Sequence, residues 1–172
     1  AYHGPHNREG FDYSNGYGVG QEWKVRQVSK GDRLFVIQKI AGAREFLLCG
    51  LYEIVGTYED PSSAYPYRVK LKDLSTLDAF IPLDESQIGK QLPTSARKEP
   101  WTNFKKHFCH QGASLKAPLD EDVLSVLTSL MTMSEEQSDS PVRREDGLRM
   151  VKIRREQSKF RKAVMSNWEG RC

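Results

Sequence analysis

The sequence predicts an α+β protein: a small barrel or strongly curved sheet of short strands, flanking helices, then a polar linker and a basic C-terminal helix. Three observations carry this reading. Runs of strand length, rich in β-branched and aromatic residues, follow one another between turn signals from residue 33 to residue 83. Beyond residue 90 the apolar spacing changes to threes and fours, the helical period. Charge is also divided unevenly, with ten Lys or Arg against four Asp or Glu in residues 143–172, and 16 against 19 in residues 1–142.

The chain has 172 residues, enough for one domain with its own core and an appended element. Residues Ala1 to Gly20, rich in Gly, Asn, Tyr and His, lack either periodicity and read as a long loop. Lys30-Gly31-Asp32 is a turn signal leading into the strand Arg33 to Lys39. Gly42 then turns the chain into a longer strand, Phe46 to Gly56, so the two form a hairpin. Gly50 inside the second strand marks a bulge or a close backbone approach. After the loop Glu59-Asp60-Pro61-Ser62-Ser63, alternation over Tyr67 to Lys72 puts Val69 and Leu71 on one face and Arg68, Lys70 and Lys72 on the other. Ala79 to Leu83 adds a short strand that Pro82 confines to an edge or ends.

Trp101, Phe104 and Phe108 share one side of a helix starting after Pro100. Pro118-Leu119-Asp120-Glu121-Asp122 opens another helix, whose stripe of Val123, Val126, Leu127, Leu130 and Met131 packs on the sheet. Ser134 to Ser140 has nothing to bury and Pro141 closes it. From about Gly147 to Asn167, Ile153, Phe160, Ala163 and Val164 stand at helical spacing among Arg and Lys, giving a basic amphipathic helix. The expected boundaries are 1–133 for the domain with its packing helices, 134–146 for the linker and 147–172 for the basic helix.

The residues exclude several classes. No apolar run approaches the roughly 18 residues of a membrane span, and three cysteines at scattered positions make a poor disulfide framework. Both point to a soluble cytoplasmic protein. His3 and His6 beside Asn7 and Glu9, and His107-Phe108-Cys109-His110, carry metal-ligating atoms without the second pair that structural zinc needs, so no metal is expected here. No Walker-type loop, GxSxG or HExxH occurs. The chain's own residues therefore predict a binding module without a catalytic site. Tyr13, Tyr17, Trp23, Tyr52, Tyr58, Tyr65, Tyr67 and Trp101, interleaved with Lys24, Arg26, Arg68, Lys70, Lys72, Arg97 and Lys98, supply stacking faces and phosphate-neutralising cations for a nucleic acid.

Two stretches carry a resemblance. Gly18-Val19-Gly20-Gln21-Glu22-Trp23, Lys30-Gly31-Asp32-Arg33-Leu34-Phe35, Gly50-Leu51-Tyr52-Glu53-Ile54-Val55-Gly56, Tyr58-Glu59-Asp60-Pro61 and Tyr67-Arg68-Val69-Lys70-Leu71 together resemble EVE domains of the PUA-like group, which also includes YTH domains. Arg155-Glu156-Gln157-Ser158-Lys159-Phe160-Arg161 and Trp168-Glu169-Gly170-Arg171-Cys172 resemble the lead-in to HNH endonuclease domains of restriction enzymes. The His-Asn-His residues of that family, with their divalent metal ion, would lie downstream, and dimerisation through that part is expected of an enzyme that cuts both strands.

Such a fusion resembles modification-dependent, type IV restriction enzymes. The resemblance implies that this chain binds double-stranded DNA carrying 5-methylcytosine or 5-hydroxymethylcytosine, with the base rotated into an aromatic pocket. Trp23, Tyr17 and Trp101 are the candidate walls, and Asp12, Ser14 and Asn15 the candidate readers of the base edge. Lys24, Arg26, Arg68, Lys70, Arg97, Lys98, Arg154 and Arg155 are the candidate phosphate contacts. The structural alternative for Trp23 and Trp101 is to anchor loops onto the barrel. Two other functions compete: an RNA-binding module like PUA and YTH domains, and a protein-interaction scaffold using the basic helix.

Overall fold

The computed structural model of the chain describes residues 1–138 apart from Thr76 and Gln111. The described residues contain one mixed sheet of β1 (Tyr2–His3), β2 (Tyr17–Val19), β3 (Arg33–Gln38), β4 (Phe46–Glu59), β5 (Tyr67–Asp73) and β6 (Ile81–Leu83). Around it lie α1 (Glu22–Arg26), α2 (Glu85–Gln91), α3 (Asn103–Phe108) and α4 (Glu121–Ser138). The strand order is β1-β3-β4-β5-β2, with β6 also pairing with β4. The fold is α+β, with the sheet curled into a half-barrel.

The long strand β4 makes the curl. Its first half pairs with β3 and with β6, and its second half pairs with β5. Within its pairing with β3 the register slips: Val36 faces Gly50 while Ile37 faces Leu48, leaving Cys49 as the extra residue of a bulge. The slip reverses which face each side chain takes. Before it, Phe46 and Leu48 join one apolar core, and after it Tyr52 and Ile54 join Cys49 in the other. Gly50 has a φ of +134°, and a Cβ there would stand 2.3 Å from Ser75 Oγ, so the anticipated bulge requires glycine at this point. A second slip, between Ile54 and Gly56, bends the strand again where it pairs with β5.

Two cores result, one on each side of the sheet. Inside the curl, Phe11, Tyr17, Val19, Leu34, Val36, Tyr52, Ile54 and Val69 pack together. On the outer face, Phe35, Ile37, Phe46, Leu48 and Leu83 meet Ile88 and Leu92 of the α2 region, Phe104 of α3, and Val123, Leu127 and Met131 of α4. This explains why β3 reads as an unbroken apolar run, since its alternating side chains are buried on both faces. The anticipated stripe on α4 and the alternation on β5 are both present: Val123, Leu127 and Val69 are buried, and Lys70 and Lys72 are exposed.

Other expectations need correction. The stretch Ala1 to Gly20 is not all loop, because β1 pairs in parallel with β3 and β2 pairs antiparallel with β5. Strands of two and three residues are too short to show a period of their own; their partners stabilise them. Trp101 does not share the helix face of Phe104 and Phe108. Thr102 is the N-cap of α3, its hydroxyl accepting from Lys105 N–H, which leaves Trp101 before the helix. Helix α4 continues through Ser138, so the linker expected from residue 134 begins no earlier than 139. Extending an established helix adds one hydrogen bond per residue fixed, and the polar Glu and Gln side chains there are good helix formers. The rest of that linker, the basic helix of 147–172, Arg154 and Arg155 lie outside the described residues. Among the described residues no helix is long and apolar enough to cross a membrane.

Candidate functional site

The sheet path ends at β1 on one side and β2 on the other, so the half-barrel has an open seam between these strands. Side chains tie that seam. The Tyr17 hydroxyl lies 3.0 Å from the Tyr2 carbonyl, to which it donates, and 2.9 Å from Ser114 Oγ, which in turn accepts from the Tyr2 N–H at 3.1 Å. Burial raises the Tyr17 pKa, so the phenol stays neutral and keeps the proton this tie needs.

A cleft of about 1560 Å³ runs along the seam. Small-molecule pockets measure roughly 300–1,000 Å³, so this one has the size of a groove for a larger partner. Five cations line it, Arg8, Lys24, Lys39, Arg68 and Lys105, against two carboxylates, Glu9 and Asp12. That balance favours an anionic ligand. Two aromatic faces are accessible in the lining: Trp101 is 40% exposed and Tyr65 is 37% exposed. Trp101 meets the His110 ring edge-on at 6.4 Å, and Tyr65 lies 5.5 Å from the His6 ring.

The fate of the candidate walls differs. Tyr17 lines the cleft with its ring buried and its hydroxyl engaged in the seam, so it acts as a structural floor. Trp101 lines the cleft with its ring open. Trp23 lies outside the lining although it is 42% exposed, because successive residues on α1 point about 100° apart and Lys24 takes the inward direction. Neither tryptophan is a buried loop anchor.

The candidate readers form a turn. The Asp12 carboxylate accepts from the Ser14 N–H at 2.9 Å and from the Ser14 hydroxyl at 2.7 Å, capping a 3-10 turn over Tyr13–Asn15. Asp12 and Asn15 line the cleft, whereas Ser14 does not. The Asn15 carbonyl accepts from the Tyr58 hydroxyl at 2.7 Å and from Arg68 Nη2 at 2.8 Å.

Arg68 is the organiser of this side. Its guanidinium donates to the Asn15 carbonyl, the Tyr58 hydroxyl, Ser63 Oγ and the Tyr65 carbonyl, joining two loops to β5. Gly18 allows the approach, since a Cβ there would come within 2.6 Å of Arg68 Nη1 and 2.7 Å of the Tyr65 carbonyl. Arg68 therefore borders the cleft with its donors committed to the protein.

Of the other predicted phosphate contacts among the described residues, only Lys24 lines the cleft. Arg26 pairs on the surface with Glu22 at 2.6 Å and belongs to a smaller hollow of about 520 Å³. Lys70 lies 5.7 Å from the Tyr58 ring, and Arg97 and Lys98 are exposed outside the lining. Sequence reasoning missed Arg8, Lys39 and Lys105, which come from three separate segments and share no motif, and it named Tyr65 only as one of several loop aromatics. Asp84-Glu85-Ser86-Gln87 did carry a signal for α2, an N-cap acid with Gln three residues on, and Asp84 does accept from the Ser86 and Gln87 N–H groups.

The histidines do not converge. His3 donates through Nε2 to the Glu9 carbonyl at 3.0 Å, with burial lowering its pKa against that bond. His107 Nε2 bonds the Pro93 carbonyl at 2.8 Å, while His110 faces Glu99 at 3.5 Å. Among the described residues, no three His, Cys, Asp or Glu side chains come together as a metal site. No protein-family model matches the chain, and no curated protein matches it.

Proposed function

We propose that the chain binds double-stranded DNA containing 5-methylcytosine or 5-hydroxymethylcytosine by receiving the modified base, rotated out of the duplex, in the seam cleft. It would serve as the sensor of a modification-dependent HNH restriction endonuclease with a PUA-like, EVE-type recognition domain. The observation that carries this reading is the cleft itself, cationic by five side chains to two and presenting the open rings of Trp101 and Tyr65. Extruding a base costs a few kcal/mol, and stacking on an aromatic ring returns about 1–3 kcal/mol per base. Phosphate contacts supply the remainder through counterion release. Cys49 and Cys109 are free thiols, which suits a reducing cytoplasm.

The test is a binding titration with methylated, hydroxymethylated and unmodified duplexes of one sequence, and with the corresponding single-stranded RNA. A preference of about tenfold for a modified duplex is expected from one additional methyl group in an apolar contact. Equal affinity for all three duplexes would remove modification reading. A preference for the RNA would instead favour the RNA-binding function of PUA and YTH domains.

A further inference from the structure

We propose that Lys24 holds the DNA phosphate adjacent to the inserted nucleotide, and that the free protein sacrifices stability to keep this ammonium ready inside the cleft. This rests on the cleft reading above and adds the identity of its phosphate contact. Lys24 is only 6% exposed, yet it lines the cleft. Its ammonium donates to the Gly112 carbonyl at 2.7 Å and lies 5.8 Å from the centroid of the Trp23 ring. Among the described residues no carboxylate forms an ion pair with it, and Lys116 acts on it with a charge of the same sign.

Buried lysines are ordinarily paired, because removing an ammonium from water is costly unless an anion compensates. Burial first, and Lys116 second, hold the Lys24 pKa below its ordinary value, the mark of a charge missing its counter-ion. An ammonium carries three donors, and the Gly112 carbonyl engages one. The other cations of the lining are placed differently: Arg8 is exposed to solvent rather than buried. Arg68 is committed to protein acceptors, Lys105 pairs with Glu85 at 3.2 Å, and Lys39 lies 4.4 Å from the Phe46 ring. Lys24 is thus the buried cation of the cleft with donors left for a phosphate, and a phosphate oxygen beside it would supply the missing charge.

The experiment combines Lys24→Met and Lys24→Arg with a duplex containing one 5-methylcytosine. Its flanking phosphates are replaced one at a time by neutral methylphosphonates. With the unsubstituted protein, one replacement should lower affinity by about tenfold or more, the scale of a hydrogen bond to a charged group. With Lys24→Met the same replacement should change affinity by less than about twofold, since the two losses are one interaction. Lys24→Arg should keep part of the sensitivity. Without DNA, Lys24→Met should melt at the same or a higher temperature than the parent. Undiminished sensitivity in Lys24→Met, or a fall in its melting temperature, would make Lys24 a structural tie and overturn the proposal. Binding by the parent with no sensitivity at any flanking phosphate would overturn the Lys24 assignment alone. Absence of binding to the modified duplex would overturn the cleft reading as well.

Discussion

Replacing Gly50 by alanine tests whether the bulge in β4 determines the curl of the sheet. The residue sits at a φ of +134°, and the new Cβ would meet Ser75 Oγ at 2.3 Å and the Tyr52 hydroxyl at 3.2 Å. Neither neighbour is free to withdraw. Ser75 is 3% exposed with its hydroxyl 2.8 Å from the Asp73 carboxylate, and the Tyr52 hydroxyl donates to the Cys49 carbonyl at 2.7 Å. Backbone strain of about 1–3 kcal/mol and overpacking of similar size together predict a loss of about 2–6 kcal/mol. That is a large share of the roughly 5–15 kcal/mol that stabilises a domain. Gly56 is the control, because it stands at the second slip with no atom within 4 Å of its Cβ position and no positive φ. Alanine there should change stability by less than about 1 kcal/mol, and by reducing unfolded-state freedom can raise it. Urea unfolding curves measure both, through the midpoint at constant slope. A Gly50→Ala loss below about 0.5 kcal/mol, or equal effects at the two glycines, would refute the reasoning.

Three further outcomes are expected. Trp101→Ala should weaken binding of a methylated duplex by about 1–3 kcal/mol with little change in melting temperature, the ring being 40% exposed, whereas Trp23→Ala should leave modification preference intact; parallel titrations of the two variants check this. Arg68→Lys keeps the charge but loses the planar fork that reaches Asn15, Ser63 and Tyr65, and should cost about 1–3 kcal/mol in a urea midpoint. Burial pushes the Cys49 thiol up to about 12 and the Cys109 thiol up to about 11, so both should resist alkylation at pH 8 in the folded chain and react on unfolding, as peptide mapping would show. The linkage runs the same way. Cys49 ionises first in the unfolded chain, so its contribution is intact below pH 9, the ordinary thiol value, and is lost as the pH climbs to about 12.

The elements legible in the sequence are those whose signal is local. The Lys30-Gly31-Asp32 turn, the glycine inside β4, the alternation of β5 and the apolar stripe of α4 each reflect a period or a torsion that neighbouring residues impose. The missed strands β1 and β2 exist because residues far along the chain pair with them, Tyr2 with Ile37 and Tyr17 with Val69. The candidate site shows the same division. The resemblance and the residue types put Lys24, Arg68, Asp12, Asn15 and Trp101 among the candidates without placing them relative to one another, and the structure brings all five to the cleft lining. The sequence could not separate Lys24 from Trp23, since the two are adjacent and only the direction of a five-residue helix decides which one faces inward. Nor could it foresee that Arg68 would be consumed by carbonyls, because the Asn15 carbonyl that takes two of its donors lies 53 positions away in the chain.

The most direct measurement follows a reporter base as the protein is added. With 2-aminopurine beside a single 5-methylcytosine in a duplex, loss of stacking on extrusion brightens the probe. Saturating protein should raise the emission, and Trp101→Ala should reduce that rise at equal occupancy. Tight association with an unchanged emission would mean that the duplex stays stacked and that the cleft receives no base.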